Sequence, residues 1–260
     1  MDKPRVAVHK FASCDGCQLA FLNAGEALLA LSRRVTFVHF AEAGVVDPQA
    51  DADIAFVEGS ITTAEDAQRI QQVRAKSRFL VSMGACATAG GIQALRNGRM
   101  QGADWLKDVY PGALALATLD TSTAIAEHVR VDLELPGCPV TTRQVLAAIA
   151  DLLLGVTPRA SSDSLCFECK RAGHACVLVT RAAPCMGPVT MGGCGALCPG
   201  VGRGCYGCFG PAGQVNGAAF AARLRSLGLD EAEVRRRFLF IAAGAPALRQ
   251  AVEKEHDGTA

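Results

Sequence analysis

The sequence predicts an α/β fold, a parallel sheet covered by helices, followed by a largely irregular region with short helices. Three observations carry that expectation. Short β-branched or aromatic runs alternate with helix-length segments through residue 155. The alternation breaks from about Thr157. Residues 160 to 213 then hold eight cysteines, many glycines and prolines, and almost no uninterrupted apolar periodicity. The expected domains are 1–155 and 156–260.

Each element has its own signal. Arg5 to Phe11 reads as a strand, followed after a cysteine-bearing turn by an apolar helical stretch near Gln18 to Leu31. Val35 to Phe40 and Asp53 to Val57 read as the second and third strands, the third ending at Glu58-Gly59-Ser60. A charged helix is expected from about Ala64 to Lys76, because Thr62 or Thr63 can cap it and Glu65 and Asp66 oppose its dipole. Arg78 to Met83 is the fourth strand, a fifth lies near Val129 to Leu135, and Thr141 to Leu154 forms a helix. Beyond the cysteines, helices are expected from about Gly217 to Leu227 and from about Asp230 to Ile241. The second has arginines on one side and Phe238, Leu239 and Phe240 near its end.

Half of the 260 residues are apolar and only 20% are charged, which excludes a generally disordered chain and allows a core of real size. The 26 basic and 25 acidic side chains nearly cancel, so nothing in the balance asks for nucleic acid or an acidic membrane. The start of the chain lacks a long apolar stretch with a small-residue cleavage site. The densest apolar run, Phe238 to Ala247, is too short to span a bilayer. A cytoplasmic protein with no direct membrane span is the expectation.

In a reducing compartment, twelve cysteines point to metal ligation rather than disulfides. They divide into three sites of four with none left over, which favours three [4Fe–4S] clusters, although three structural zinc sites would use the same count. Position separates the two readings further. Cys14 and Cys17 follow the first strand, Cys86 follows the fourth and Cys138 the fifth. Ligands of an open parallel sheet gather beyond the carboxyl ends of its strands, so these four point to one edge, as a functional cluster assembled by the sheet would. The remainder pair most simply as two consecutive quartets, Cys166, Cys169, Cys176 and Cys185, then Cys194, Cys198, Cys205 and Cys208. An exchange of one cysteine between them stays open.

No nucleophile–base pair is visible, so no catalytic residue is assigned to this chain. His9 and His39 lie in apolar strands and read as satisfied core histidines, whereas His174 lies among the cysteines and could tune or shield a cluster. Gly90-Gly91 is weak evidence for a phosphate loop, with no Walker or dinucleotide fingerprint beside it.

The motifs Cys14-Asp15-Gly16-Cys17-Gln18-Leu19, Val57-Glu58-Gly59-Ser60, Gly84-Ala85-Cys86-Ala87 and Leu135-Pro136-Gly137-Cys138-Pro139 resemble the small subunit of nickel–iron hydrogenases. The eight later cysteines extend the likeness to about residue 210. The resemblance implies a flavodoxin-like first domain, with helices on both sheet faces, that binds a [4Fe–4S] cluster instead of flavin. It implies that Cys14, Cys17, Cys86 and Cys138 hold the proximal cluster, facing a NiFe centre in a separate large subunit. By order, Cys166, Cys169, Cys176 and Cys185 would hold the distal cluster, and Cys194, Cys198, Cys205 and Cys208 the medial one. Glu58 would lie near the subunit interface.

Three departures set the chain apart from membrane-bound uptake enzymes, the first being that their long export signal is not seen. Cys166 stands where they use a distal-cluster histidine, and Cys198 would complete a four-cysteine medial site. The sequence looks most like cytoplasmic bidirectional enzymes of the NAD(P)-linked or sulfhydrogenase type, which implies flavin and iron–sulfur diaphorase subunits as partners. A form linked to factor F420 or heterodisulfide reduction, and a nickel-free quinone-linked complex, are the alternatives.

Overall fold

The structure is a computed structural model that describes residues 3–97, 117–156, 158 and 162–253. The chain divides into two compact units, Met1–Pro158 and Arg159–Ala260. Thr157, where the pattern was expected to break, lies outside the described residues.

Among the described residues five strands build the first unit: β1 (Arg5–Lys10), β2 (Thr36–Phe40), β3 (Ala52–Glu58), β4 (Ser77–Met83) and β5 (Leu133–Leu135). All pair in parallel, in the order β2-β1-β3-β4-β5. This is the flavodoxin-like order, which reverses direction between β1 and β3. Side chains alternate between the faces with period two. Val6, Val8, Ile54 and Phe56 pack with Phe21 of the helix Gly16–Leu22 and with Val145 and Ile149 of the helix Thr142–Leu153. Ala7, Ala55, Val57 and Leu80 pack on the other face with Ile70 and Val73 of the helix Ala64–Ala75. Burial on both faces is why these strands read as nearly continuous apolar runs.

Thr63, not Thr62, caps the helix Ala64–Ala75, its hydroxyl accepting the Asp66 N–H at 3.0 Å. Thr141 and Gln144 form a capping box at the start of Thr142–Leu153. Two expectations are corrected here. The stretch Gln18 to Leu31 is two helices, Gly16–Leu22 and Glu26–Ser32, because Asn23-Ala24-Gly25 interrupts it and Gly25 leaves helical geometry at φ 55°. The fifth strand is also shorter than its apolar pattern. Only Leu133–Leu135 pairs with β4, and the Asp132 carboxylate, not backbone, accepts the Leu80 N–H at 2.8 Å.

In the second unit the cysteine-rich part carries the short helices Leu165–Arg171, Val177–Thr180 and Leu197–Gly200. The helices Gly217–Ser226, Glu231–Phe238 and Pro246–Glu253 follow and pack together. Phe220, Leu224, Val234, Phe238 and Leu248 are buried there. The helix expected to reach Ile241 ends at Phe238, and the chain re-enters a helix at Pro246, whose missing N–H suits a first helical position. No helix among the described residues is long and apolar enough to cross a membrane.

Candidate metal centres

Because the sheet is parallel, the carboxyl ends of its strands share one edge. The turn after β1 carries Cys14 and Cys17, the helix Gly84–Ala89 after β4 carries Cys86, and the turn after β5 carries Cys138. Close backbone approaches draw these segments together. The Ala85 N–H donates to the Gly137 carbonyl at 2.7 Å. A Cβ on Gly84 would lie 2.4 Å from Cys17 Sγ, and φ there is +88°, so only glycine lets the β4 turn seat against that sulfur. A Cβ on Gly16 would lie 3.4 Å from Cys14 Sγ and 3.5 Å from Pro139, which sets Cys14 beside the Cys138 turn. Gly91 lies against Cys86 in the same way, at 2.6 Å. Gly90-Gly91 thus belongs to this edge and not to a phosphate loop.

A buried carboxylate fixes the turn from below. Glu58, at the end of β3, accepts the Ser13 hydroxyl at 2.9 Å, the Gln18 N–H at 3.1 Å and the Gln18 side-chain amide at 3.2 Å. It is 1% exposed, and its carboxylate is spent on hydrogen bonds inside the chain. Burial raises its pKa despite the Ser13 and Gln18 hydrogen bonds. Above it, Lys10 pairs with Asp15 at 2.5 Å, and Asp15 takes a left-handed φ of 66°.

The thiols of this edge influence one another. Burial pushes Cys17 well above the usual thiol range, with Glu58, Cys86 and Cys138 adding to it. Burial also pushes Cys86 up to about 11, with Cys138 and Cys14 contributing, and raises Cys138, with Cys14 contributing. Four thiols in electrostatic reach of one another resist ionising together unless a cation neutralises them, and a thiolate-bound metal cluster meets that need.

The second unit repeats the logic. Cys166 and Cys169 sit one helical turn apart on Leu165–Arg171, and Cys176 precedes Val177–Thr180. The position of a Cβ on Gly187 is 3.5 Å from Cys185 Sγ and 3.7 Å from Cys166 Sγ, so these sulfurs are close neighbours. Burial pushes Cys169 up to about 11, with Cys166, Cys185, Cys176 and Cys194 adding to it. Cys205 reaches about 12, again through burial first, with Cys185 and Cys208 contributing. The Cys205 N–H donates to Cys185 Sγ at 3.2 Å, and the Met186 N–H donates to the Cys205 carbonyl at 3.0 Å. Gly204 permits that approach, since a Cβ there would lie 1.9 Å from the Pro184 carbonyl oxygen. Cys198 lies on the helix Leu197–Gly200. Among the described residues no three His, Cys, Asp or Glu side chains converge on a single ion. A four-iron cluster takes one outer thiolate per iron and needs sulfurs spread around a volume.

Gln93 and Glu168 went unread in the sequence, and Gln18 was read in its motif without a role. Gln18 and Gln93 have polar side chains next to the cysteines, and Gln93 sits 3.4 Å from Cys86 Sγ while donating to the Ala12 carbonyl at 2.7 Å. Glu168 accepts three backbone N–H groups around Cys194. Its one signal was an acid enclosed between Cys166 and Cys169. His9 and His39 are core residues with rings stacked at 4.6 Å, but neither Nδ1 has a hydrogen-bond partner among the described residues, so they are not satisfied as expected. His174 lies against Gly200, the last residue of the Cys198 helix.

Comparison with known proteins places the chain in a family. Residues 14–152 match the family described as NADH ubiquinone oxidoreductase, 20 Kd subunit. The chain is 31% identical to the delta subunit of sulfhydrogenase 2 of Pyrococcus furiosus, over 90% of this chain and 97% of that one. It is 27% identical to a subunit of the F420-non-reducing hydrogenase vhu of Methanococcus voltae, over 89% and 91% of the two chains. Among solved structures it resembles a chain of an NAD+-reducing [NiFe]-hydrogenase in the H2-reduced state, with a TM-score of 0.55 and 34% identity, covering 60% of this chain and 94% of that one. The chain belongs to this 20 Kd subunit family, in its nickel–iron hydrogenase small-subunit type.

Proposed function

We propose that this chain relays electrons within a hydrogenase complex, between a NiFe site in a separate large subunit and an external acceptor module. The observation that carries the reading is the gathering of Cys14, Cys17, Cys86 and Cys138 from three strand ends onto one sheet edge, with eight further cysteines in the second unit. The first quartet would hold a proximal [4Fe–4S] cluster, Cys194, Cys198, Cys205 and Cys208 a medial one, and Cys166, Cys169, Cys176 and Cys185 a distal one. Each bound cluster supplies reversible one-electron chemistry. The protein contributes the thiolates, their spacing, the exclusion of water by burial, and the polar groups that orient each turn.

Leu19 and Ile92 are 48% and 53% exposed and follow closely on Cys17 and Gly91, so apolar surface flanks the first quartet. That surface suits the large subunit. The acceptor we assign is an NAD(P)-linked module of flavin and iron–sulfur diaphorase subunits, in a cytoplasmic complex. A specific observation favours a second reading, an acceptor of the kind served by F420-non-reducing hydrogenases. The Methanococcus voltae relative matches nearly the whole chain, whereas the NAD+-reducing structure corresponds to 60% of it.

Anaerobic metal and sulfide analysis of the chain co-purified with its partners tests the proposal. About twelve irons and twelve sulfides are expected for this chain, with nickel in its partner. Iron and sulfide without nickel would move the relay to a quinone-linked complex. Zinc without sulfide would overturn it. Cys17→Ser should lower the iron by about four atoms per chain.

A further inference from the structure

Resting on the reading of the cysteines as cluster ligands, we propose that Glu168 is a positioning residue that clamps the Cys194 loop to the Cys166–Cys169 helix and holds the potential of the neighbouring clusters down. Its side chain leaves the helix Leu165–Arg171 between two cysteines of one quartet and reaches the loop that carries the first cysteine of the other. Oε1 accepts the Gly193 N–H at 2.9 Å, and Oε2 accepts the N–H groups of Gly195 and Ala196 at 3.0 and 3.1 Å.

The loop is shaped for this carboxylate. Gly193, Gly195 and Ala196 all take positive φ, at 134°, 71° and 55°, and so curl three donors toward one side. For Ala196, which is fully buried, that conformation is strained and persists only where its surroundings enforce it. Two backbone pairs bring the loop up to the helix start at Gly192. The Leu165 N–H donates to the Thr190 carbonyl at 2.8 Å, and the Gly192 N–H to the Asp163 carbonyl at 2.9 Å. Beyond Gly192, the Glu168 side chain holds the N–H groups of Gly193, Gly195 and Ala196. Gly192 itself has no room for a side chain without crowding it, since a Cβ there would lie 3.2 Å from Glu168 Cδ.

Two physical consequences point the same way. A concave set of N–H groups is an anion receptor, and donors of this kind raise a cluster's potential when they bond its sulfurs. Glu168 takes three such donors for itself. Its negative charge, fixed beside groups that become more negative on reduction, also disfavours the reduced state. Cys169 and Cys194 are in electrostatic reach of each other, so this one carboxylate stands between the two quartets.

The test is a redox titration of the intact complex followed by electron paramagnetic resonance, with iron and sulfide measured on the same samples. Glu168→Gln keeps the shape and one acceptor oxygen while removing the charge. The expected result is full iron with a second-unit cluster signal moved to higher potential. Full iron with every potential unchanged would overturn the proposal and leave the cluster assignment standing. If Glu168→Gln loses iron, Glu168→Asp decides: retained iron at the wild-type potential supports a required carboxylate, and lost iron refutes it. A wild-type complex in which this chain lacks iron and sulfide would instead overturn the cluster reading itself.

Discussion

Glu58 and His9 are both buried in the first unit, and their chemistry sets opposite demands. Glu58 satisfies three donors of the Cys14–Cys17 turn. Glu58→Ala would leave buried donors without a partner, at about 1–3 kcal/mol each. Denaturant titration should show that loss, together with reduced iron at the first quartet. His9 is held neutral. Burial, then the neighbouring His39 and Arg69, lowers its pKa to about 3, and burial and Arg69 lower that of His39 despite an opposing pull from Asp47. Above pH 6.5 both folded and unfolded chains leave these rings uncharged, so they contribute no pH dependence. As pH falls below 6.5 the unfolded chain gains protons that the folded chain refuses, and stability drops. For His9 the slope approaches about 1.4 kcal/mol per pH unit, and His39 adds to it in the same direction. His9→Leu should flatten that dependence between pH 7 and 5.5, measured as the difference in denaturation midpoint from wild type. An equally steep decline in the variant would show that His9 is not its source.

At the scale of elements, the caps and turns decide where each helix begins and how the strand ends meet. Thr141→Ala removes the cap that accepts the Gln144 N–H and should cost about 1 kcal/mol, visible as a lower thermal midpoint. Gly84→Ala is predicted to be worse for function than for folding of the sheet. Its Cβ would sit on Cys17 Sγ, so iron at the first quartet should fall while far-ultraviolet dichroism stays close to wild type. The first four strands were legible because burial on both faces leaves uninterrupted β-branched runs. The fifth was over-read because Val129 and Val131 are apolar for packing against the Ile125 cluster, not for pairing with β4. The helix Pro246–Glu253 was missed because the apolar run from Phe238 to Ala247 blurs the end of one helix into the start of the next. Glu58 and Glu168 were not legible as clamps, since their partners lie 40 and 25 or more residues away. Spacing along the chain cannot announce a contact that the fold creates.

At the scale of the whole molecule, the two units differ in what holds them. The first buries large apolar clusters on both faces of its sheet. The stretch from Ser162 to Gly213 has short helices of four to seven residues and sharp turns, so metal cross-links must supply much of its order. Removing the clusters with oxidant and chelator should therefore abolish hydrogen-exchange protection across 162–213 while the strands β1 to β4 stay protected. Equal protection before and after removal would show that this stretch folds without its metals.

The sheet edge also imposes an order of events. Cys14 leaves the ribosome long before Cys138, and nothing local joins them. They become neighbours only once β5 has docked beside β4, after every other strand of the sheet has been made. A metal cluster bound at that edge would thus certify a finished domain, since a chain stalled or misfolded before Leu135 presents too few thiolates to hold one.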